Sequence, residues 1–146
     1  MASPNSEARL GYGTRLLMGD GGSPETFAEV GEVGDFEDGD NVELVDVTNH
    51  QSPNRRREYI AALKDGAEIS FPVNYIPTHA THNRQTGLRG KIGEVVTFHI
   101  EAPGETEGYE FYGLVMGVTR SFPVQGVMQM TVTLKKTGAE AYYPIP

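Results

Sequence analysis

His79 and His82 stand three residues apart, a spacing that would put two imidazoles on one face of a helix, as zinc ligands are arranged. No acidic residue lies between Pro72 and Lys91 to serve as a further ligand or as a base. Loop histidines are therefore the favoured reading, and transient metal binding is the alternative. Asp35-Phe36-Glu37-Asp38-Gly39-Asp40 has the oxygen chemistry of a calcium loop, but its glycine comes one position early and helical flanks are missing. Glu29 and Glu32 have no apolar pocket nearby to raise a carboxyl pKa. Gly11-Tyr12-Gly13-Thr14 lacks the third glycine and the βαβ setting of a dinucleotide site. There is no Gly-x-Ser-x-Gly, no Cys nucleophile and no Walker loop. No catalytic, cofactor or metal residue is expected, and the chain is not expected to be an enzyme.

The elements that would position such side chains are strands. Short strands are expected over Thr14 to Met18, Phe27 to Val33 and Val42 to Thr48, with the acidic, glycine-rich stretch Gly34 to Asn41 as a loop. Tyr59 to Leu63 is apolar and of open type, and Lys64-Asp65-Gly66 carries a turn signal. Ala67 to Tyr75 alternates strictly. Ala67, Ile69, Phe71, Val73 and Tyr75 face one way, and Glu68, Ser70, Pro72 and Asn74 face the other. Pro72 cannot donate to a ladder, so this strand is expected at an edge or with a bulge. Thr78 to Arg89 has no strand pattern and is expected to hold a short helix with a loop.

Glu94 to Glu101 alternates again, with His99 on its polar face as a wet residue. Glu110 to Arg120 is apolar on both faces, as a central strand would be. Val127 to Lys135 sets Met128, Met130, Val132 and Leu134 against Gln129, Thr131, Thr133 and Lys135. No internal repeat or linker breaks the chain. The expected fold is mainly β, one antiparallel sandwich or barrel over residues 1–146, with a short flanking α-helix and long loops. Residues 1–11 are expected to form a flexible arm and residues 34–57 a long polar loop region.

Bulk properties narrow the role. At 146 residues with 18 Gly and 9 Pro, the chain suits one domain of many strands joined by turns. With Cys absent, neither a disulfide nor a thiolate metal site can form. No apolar run approaches the roughly 20 residues that cross a bilayer, and the N-terminus lacks the apolar core of a signal peptide, so cytoplasmic synthesis and no membrane are expected. A net charge of -8 argues against sequence-independent DNA binding, which needs cations to displace counterions. It suits solubility, or a surface past which DNA slides.

The charge is unevenly placed. No Lys or Arg lies between Arg15 and Arg55, an interval containing Glu37, Asp38, Asp40, Glu43 and Asp46, and then Arg55, Arg56 and Arg57 follow in a row. Such blocks could pair head to tail between copies, or be a solvated acidic loop and a solvated basic turn. The first alternative makes Glu37, Asp38, Asp40, Arg55, Arg56 and Arg57 candidates for an interface. The polar strand faces are equally two-sided. Glu68, Ser70 and Asn74, then Thr97, His99 and Glu101, then Gln129, Thr131, Thr133 and Lys135, form either the wet face of a sandwich or the lining of a channel.

One stretch is more specific. Asp46, Thr48, His50 and Ser52, followed by Arg57, Tyr59 and the run Leu63-Lys64-Asp65-Gly66, resemble the signature of the tail tube proteins of long, non-contractile phage tails. Met130 to Gly138 resembles the family's closing Thr-Val-Thr-Leu-Lys-x-x-Gly. One departure is Ala62, where family members often carry Gly before the Leu, a difference that bears on the local backbone. The resemblance implies a β-sandwich whose copies, six to a ring, join sheets side by side and stack into a hollow tube. DNA would pass through the lumen without specific binding. Glu68, Ser70, Asn74, Thr97, Glu101, Gln129, Thr131 and Thr133 are then the candidates for lining it. The implied partners are other copies of the chain, a tape measure protein, tail tip or baseplate proteins and a tail terminator, and the implied location is the virion tail. A type VI secretion tube or another contractile, tail-like system is the alternative. A carbohydrate-binding module is a remoter one, and it would need Tyr109, Tyr112, Tyr142 and Tyr143 exposed on one face.

Overall fold

Alternation of apolar and polar residues produces nine strands among the described residues, because a period of two buries one face of a strand and wets the other. The computed structural model describes residues 11–66 and 68–145. The strands are β1 (Arg15–Gly19), β2 (Phe27–Glu29), β3 (Asp40–Asp46), β4 (Tyr59–Gly66), β5 (Glu68–Asn74), β6 (Val95–Glu101), β7 (Glu107–Ser121), β8 (Gln129–Lys136) and β9 (Ala141–Pro144). Seven of them form one antiparallel sheet, in the order β2-β1-β6-β7-β8-β5 with β9 added on β7. The other two, β3 and β4, make a separate ribbon.

The inward face is the expected one. Ile69, Phe71 and Val73 of β5 meet Leu134, Val132 and Met130 of β8 across the ladder, and all six are buried. Phe98 and Phe111 stack with ring centroids 5.6 Å apart at the centre. Each large side chain so buried contributes roughly 1.5–3 kcal/mol. Residues 30–34 cross the open side of this core. The Val30 amide donates to Leu16, Val33 bridges Val73, and the Gly34 amide donates to the Pro72 carbonyl at 2.7 Å. These few bonds join the two ends of the sheet without closing a barrel, so the architecture is sandwich-like.

Pro72 lies, as expected, on an edge strand, since β5 ends the sheet. The central strand β7 is apolar on both faces for a specific reason. Val115 pairs Leu134 and Gly117 pairs Thr133, so Met116 is an extra residue and the faces exchange there. Val115 points into the core before the bulge, and Val118 packs against the core after it.

Several expectations are corrected. Lys64-Asp65-Gly66 is not a turn. It is the end of β4, paired with Val42, Asn41 and Asp40, because backbone pairing overrides the turn propensity of Asp-Gly. The region 34–57 is therefore not one long loop, since its middle is β3. The strand expected to Val33 ends at Glu29, where the chain leaves β1 to cross the core. No α-helix forms among the described residues. Thr78 to Arg89 is a series of turns finishing in a 3-10 turn, Leu88–Gly90, and a second 3-10 turn spans Pro53–Arg55. Side chains of the 78–89 stretch hydrogen-bond locally in place of a helix: Asn83 Oδ1 accepts from the Thr86 and Gly87 amides, and the Thr86 hydroxyl donates to the Ala80 carbonyl. The arm expected over residues 1–11 lies outside the described residues, apart from Gly11.

Candidate assembly surfaces

The β5–β8 ladder brings most of the candidate lining residues onto one outer face. Ser70 stands opposite Thr133, Asn74 opposite Gln129, Pro72 opposite Thr131, and Glu68 opposite Lys135. Beyond β8 the face continues onto β7, where Thr119 stands opposite Thr131 and Ser121 opposite Gln129. Glu68, Ser70, Asn74, Gln129 and Thr131 are exposed and Thr133 is partly so. This is a wet face of short polar side chains directly behind the core.

Thr97 and Glu101 do not join that group. They lie on β6, and Thr97 is buried opposite Tyr112. Glu101 accepts from Arg15 at 3.1 Å and from the hydroxyl of Tyr143. His99, expected to be wet, is buried between Phe27, 3.8 Å away ring to ring, and Tyr143, at 4.2 Å. Its Nε2 lies 3.3 Å from a Glu110 carboxylate oxygen without the alignment of a hydrogen bond. Strand β9 brings Tyr143 over this histidine and shields it. Burial, together with the Glu101 hydrogen bond, pushes the Tyr143 phenol far above its usual range.

The interface candidates separate into two places. Arg56 and Arg57 lie in the exposed connection at the far end of the β3–β4 ribbon, with the Arg55 backbone, while the side chains of Arg55 and Asp40 lie outside the described residues. Arg57 Nη1 reaches Asp46 of its own chain at 3.6 Å. Glu37 is exposed, and Asp38 is ion-paired to the buried Lys136, whose ammonium also donates to the Gly39 carbonyl and the Tyr109 hydroxyl. Lys136 thus holds the start of the ribbon against β7 and β8.

The signature residues around Asp46 close the ribbon's connection. The Thr48 amide donates to Asp46 at 2.9 Å, and the Thr48 hydroxyl accepts from the Glu58 amide at 2.8 Å. Donation from the Thr48 hydroxyl and amide holds the Asp46 carboxyl below its usual range. Ser52 Oγ accepts from the Asn49 amide, and Asn49 Oδ1 from the Gln51 amide. The motif is therefore a self-capping turn. Ala62 falls where two residues, Ala62 and Leu63, stand against the single Glu43, a bulge that Ala accommodates without a positive φ. The ribbon exposes apolar side chains along its length: Val42, Leu44, Val45, Tyr59 and Ile60. The sequence signal for this ribbon is Val42, Leu44, Val45 and Val47, which put apolar side chains on both faces of one short strand.

The two histidines are structural. The Ile76 amide donates to His82 Nδ1 at 3.1 Å, so the ring carries its proton on Nε2, which donates to the Gly31 carbonyl at 2.8 Å. Burial, more than any neighbouring charge, lowers the His82 pKa. His79 Nδ1 accepts from Thr81. No group of three metal-ligating side chains occurs among the described residues. Nor do the four tyrosines form one platform, because Tyr109 is buried and hydrogen-bonded to Glu140. No helix of the described residues is long and apolar enough to cross a membrane.

Solved structures share this fold. The tail of an empty gene transfer agent particle, refined with C6 symmetry, aligns with a TM-score of 0.76 and 18% identity, covering 92% of this chain and 98% of that one. The SPP1 tail tube aligns at 0.65 and 11%, covering 90% and 77%. The anti-feeding prophage baseplate, 6-fold symmetrised, aligns at 0.63 and 10%, covering 99% and 98%. A search of curated protein sequences found no match. The sequence matches the family described as lambda phage tail tube protein over residues 13–143. That match spans nearly all of the described strands, and the chain belongs to the lambda phage tail tube protein family, a structural component of the virion tail.

Proposed function

We propose that copies of this chain close side by side into six-membered rings and that the rings stack into a tube through which DNA leaves. The observation that carries this reading is the exposed polar face of β5 and β8, flanked by sheet edges that no strand of the described residues occupies. Along β5, the Pro72 carbonyl and the Asn74 amide point away from β8 and are taken by residues 32–34. By the same alternation Glu68 and Ser70 present backbone groups outward, and among the described residues no strand pairs with them there. Among the described residues, residues 117–121 of β7 likewise have a strand partner on the β8 side only. Such edges are templates for another copy, and one heterologous contact repeated with the right rotation closes a ring.

The lumen is lined by Glu68, Ser70, Asn74, Gln129, Thr131 and Thr133, and Thr97 and Glu101 lie outside it. Apart from Glu68 and the Lys135 opposite it, the side chains of this face are short and neutral, and with a net negative subunit they offer phosphate few cationic contacts, so DNA passes without adhering. The β3–β4 ribbon, exposed on both faces, needs a neighbouring copy to cover it, since a lone two-stranded ribbon is marginal in water. The role is structural, without turnover of a substrate. The further partners are a tape measure protein inside the tube and tail tip or baseplate and terminator proteins at its ends. The likeness to the anti-feeding prophage baseplate favours a second reading, the tube of a contractile, tail-like particle.

Substituting Ser70→Pro tests the edge. It removes an outward amide while leaving the bonds of Ile69, Phe71 and Val73 to β8 in place. The expected result is a folded monomer, with wild-type melting, that no longer sediments as rings or tubes. Normal assembly by this variant would contradict pairing through β5.

A further inference from the structure

The two ends of the β5–β8 strand pair differ in charge. At the end where Asn74 pairs Gln129, the β7–β8 turn projects Phe122, Val124 and Val127, with Val124 fully exposed. Arg120 sits over the Phe122 ring at 5.1 Å and the Tyr75 ring at 5.7 Å, and Arg89 donates to the Tyr75 hydroxyl at 3.3 Å. The two guanidiniums thus converge on one buried tyrosine. Neither has an acidic partner among the described residues. The sequence explains why: no Asp or Glu occurs between Glu68 and Glu94 or between Glu110 and Glu140. In a chain of net charge -8 this is a basic, apolar knob.

At the other end, where Glu68 pairs Lys135, a hollow is lined by Asp35, Phe36, Glu37, Glu68 and Ser70. Its carboxylates are exposed, and Phe36 packs against the core at its base. Acidic rim and apolar floor match basic rim and apolar tip. Because the two surfaces terminate the same strands, one copy's knob points toward the hollow of a copy placed head to tail behind it.

We propose that the Arg120–Phe122–Val124 knob of one copy docks in the Asp35–Glu37–Glu68 hollow of the next, as the contact that stacks rings. This rests on the tube reading above and changes the cations involved. Glu37 is met by Arg89 and Arg120 rather than by Arg55, Arg56 and Arg57. A single exposed ion pair is weak, so the contact depends on repetition around the ring and on the apolar tip, and it weakens as salt rises.

Two measurements on the full chain test it. In the first, Arg120→Glu and Glu37→Arg are each expected to lower sedimentable polymer at least tenfold while leaving rings and thermal melting intact. The double variant is expected to recover at least half, and Arg120→Lys to behave as wild type. Undiminished polymer in the singles, or a folded double that fails to recover, overturns the proposal. So does an Arg120→Glu chain that stacks normally but loses retardation of a 30-base-pair DNA duplex, which would make the knob a phosphate contact. In the second, Val124→Cys and Glu37→Cys are combined in this cysteine-free chain and oxidised. A ladder of covalent multimers is expected, and its absence overturns the docking even where rings form. Absence of rings with a ladder present would instead count against the ring reading and leave the docking standing.

Discussion

His82 donates from Nε2 to the carbonyl of Gly31, 51 residues away, and so ties the turns after β5 to the segment that crosses the core. With Nδ1 accepting from Ile76, both ring nitrogens are committed to backbone groups that would otherwise be unpaired. His82→Ala is expected to destabilise the monomer by about 1–3 kcal/mol, the cost of orphaned polar groups at a buried site. Chemical denaturation of the monomer checks this.

The same geometry sets a pH dependence. Protonating Nδ1 would oppose the Ile76 amide, and burial lowers the folded pKa below the ordinary 6.5. The unfolded chain then binds more protons than the folded one, so stability is complete above pH 6.5 and is lost as pH falls through the lowered folded value. Melting temperatures from pH 8 to 5 should fall for the wild type and fall less for His82→Ala. Equal slopes would remove His82 from the account.

Gly87 lies in the same group of turns with no room for a side chain, because a Cβ there would come within 2.5 Å of the Asn83 nitrogen and the Thr81 carbonyl carbon. Gly87→Ala is expected to cost about 1–3 kcal/mol through overpacking. Thermal melting should show it, with the β circular dichroism signal retained.

Phe98 is fully buried and stacked on Phe111. Phe98→Ala is expected to cost about 3–5 kcal/mol, as deletion of a core ring usually does. A loss under 1 kcal/mol in urea unfolding would contradict the placement of the core.

Arg57 and Asp46 are both largely exposed, so their pair contributes little. Reversing Arg55, Arg56 and Arg57 to Glu is expected to leave monomer melting within about 0.5 kcal/mol of wild type. Any effect on assembly would then report a contact between copies, and differential scanning calorimetry beside sedimentation separates the two.

The sequence made the main sheet legible where burial is one-sided. Ile69, Phe71 and Val73, and Met130, Val132 and Leu134, alternate because one face of each strand is in the core. It was misleading where pairing between distant segments outweighs local preference. Lys64-Asp65-Gly66 has turn chemistry, yet β3 holds it extended, and His99 has a polar face only until Phe27 and Tyr143 cover it. The lining candidates on β5 and β8 were grouped by alternation alone. Thr97 and Glu101 were separated from them by contacts with residues far away in the chain, Tyr112, Arg15 and Tyr143. The charge blocks were visible, but Arg89 and Arg120 meet only through Tyr75, which no local pattern reveals.

The central claim is that this chain is a repeating unit of a hollow polymer. Electron microscopy of the purified protein, concentrated and supplied with a nucleating tail tip, tests it most directly. The account predicts six-fold rings in end views and stacked hollow rods in side views, with the β5–β8 face toward the axis. A field of single, unassociated particles under those conditions would contradict it.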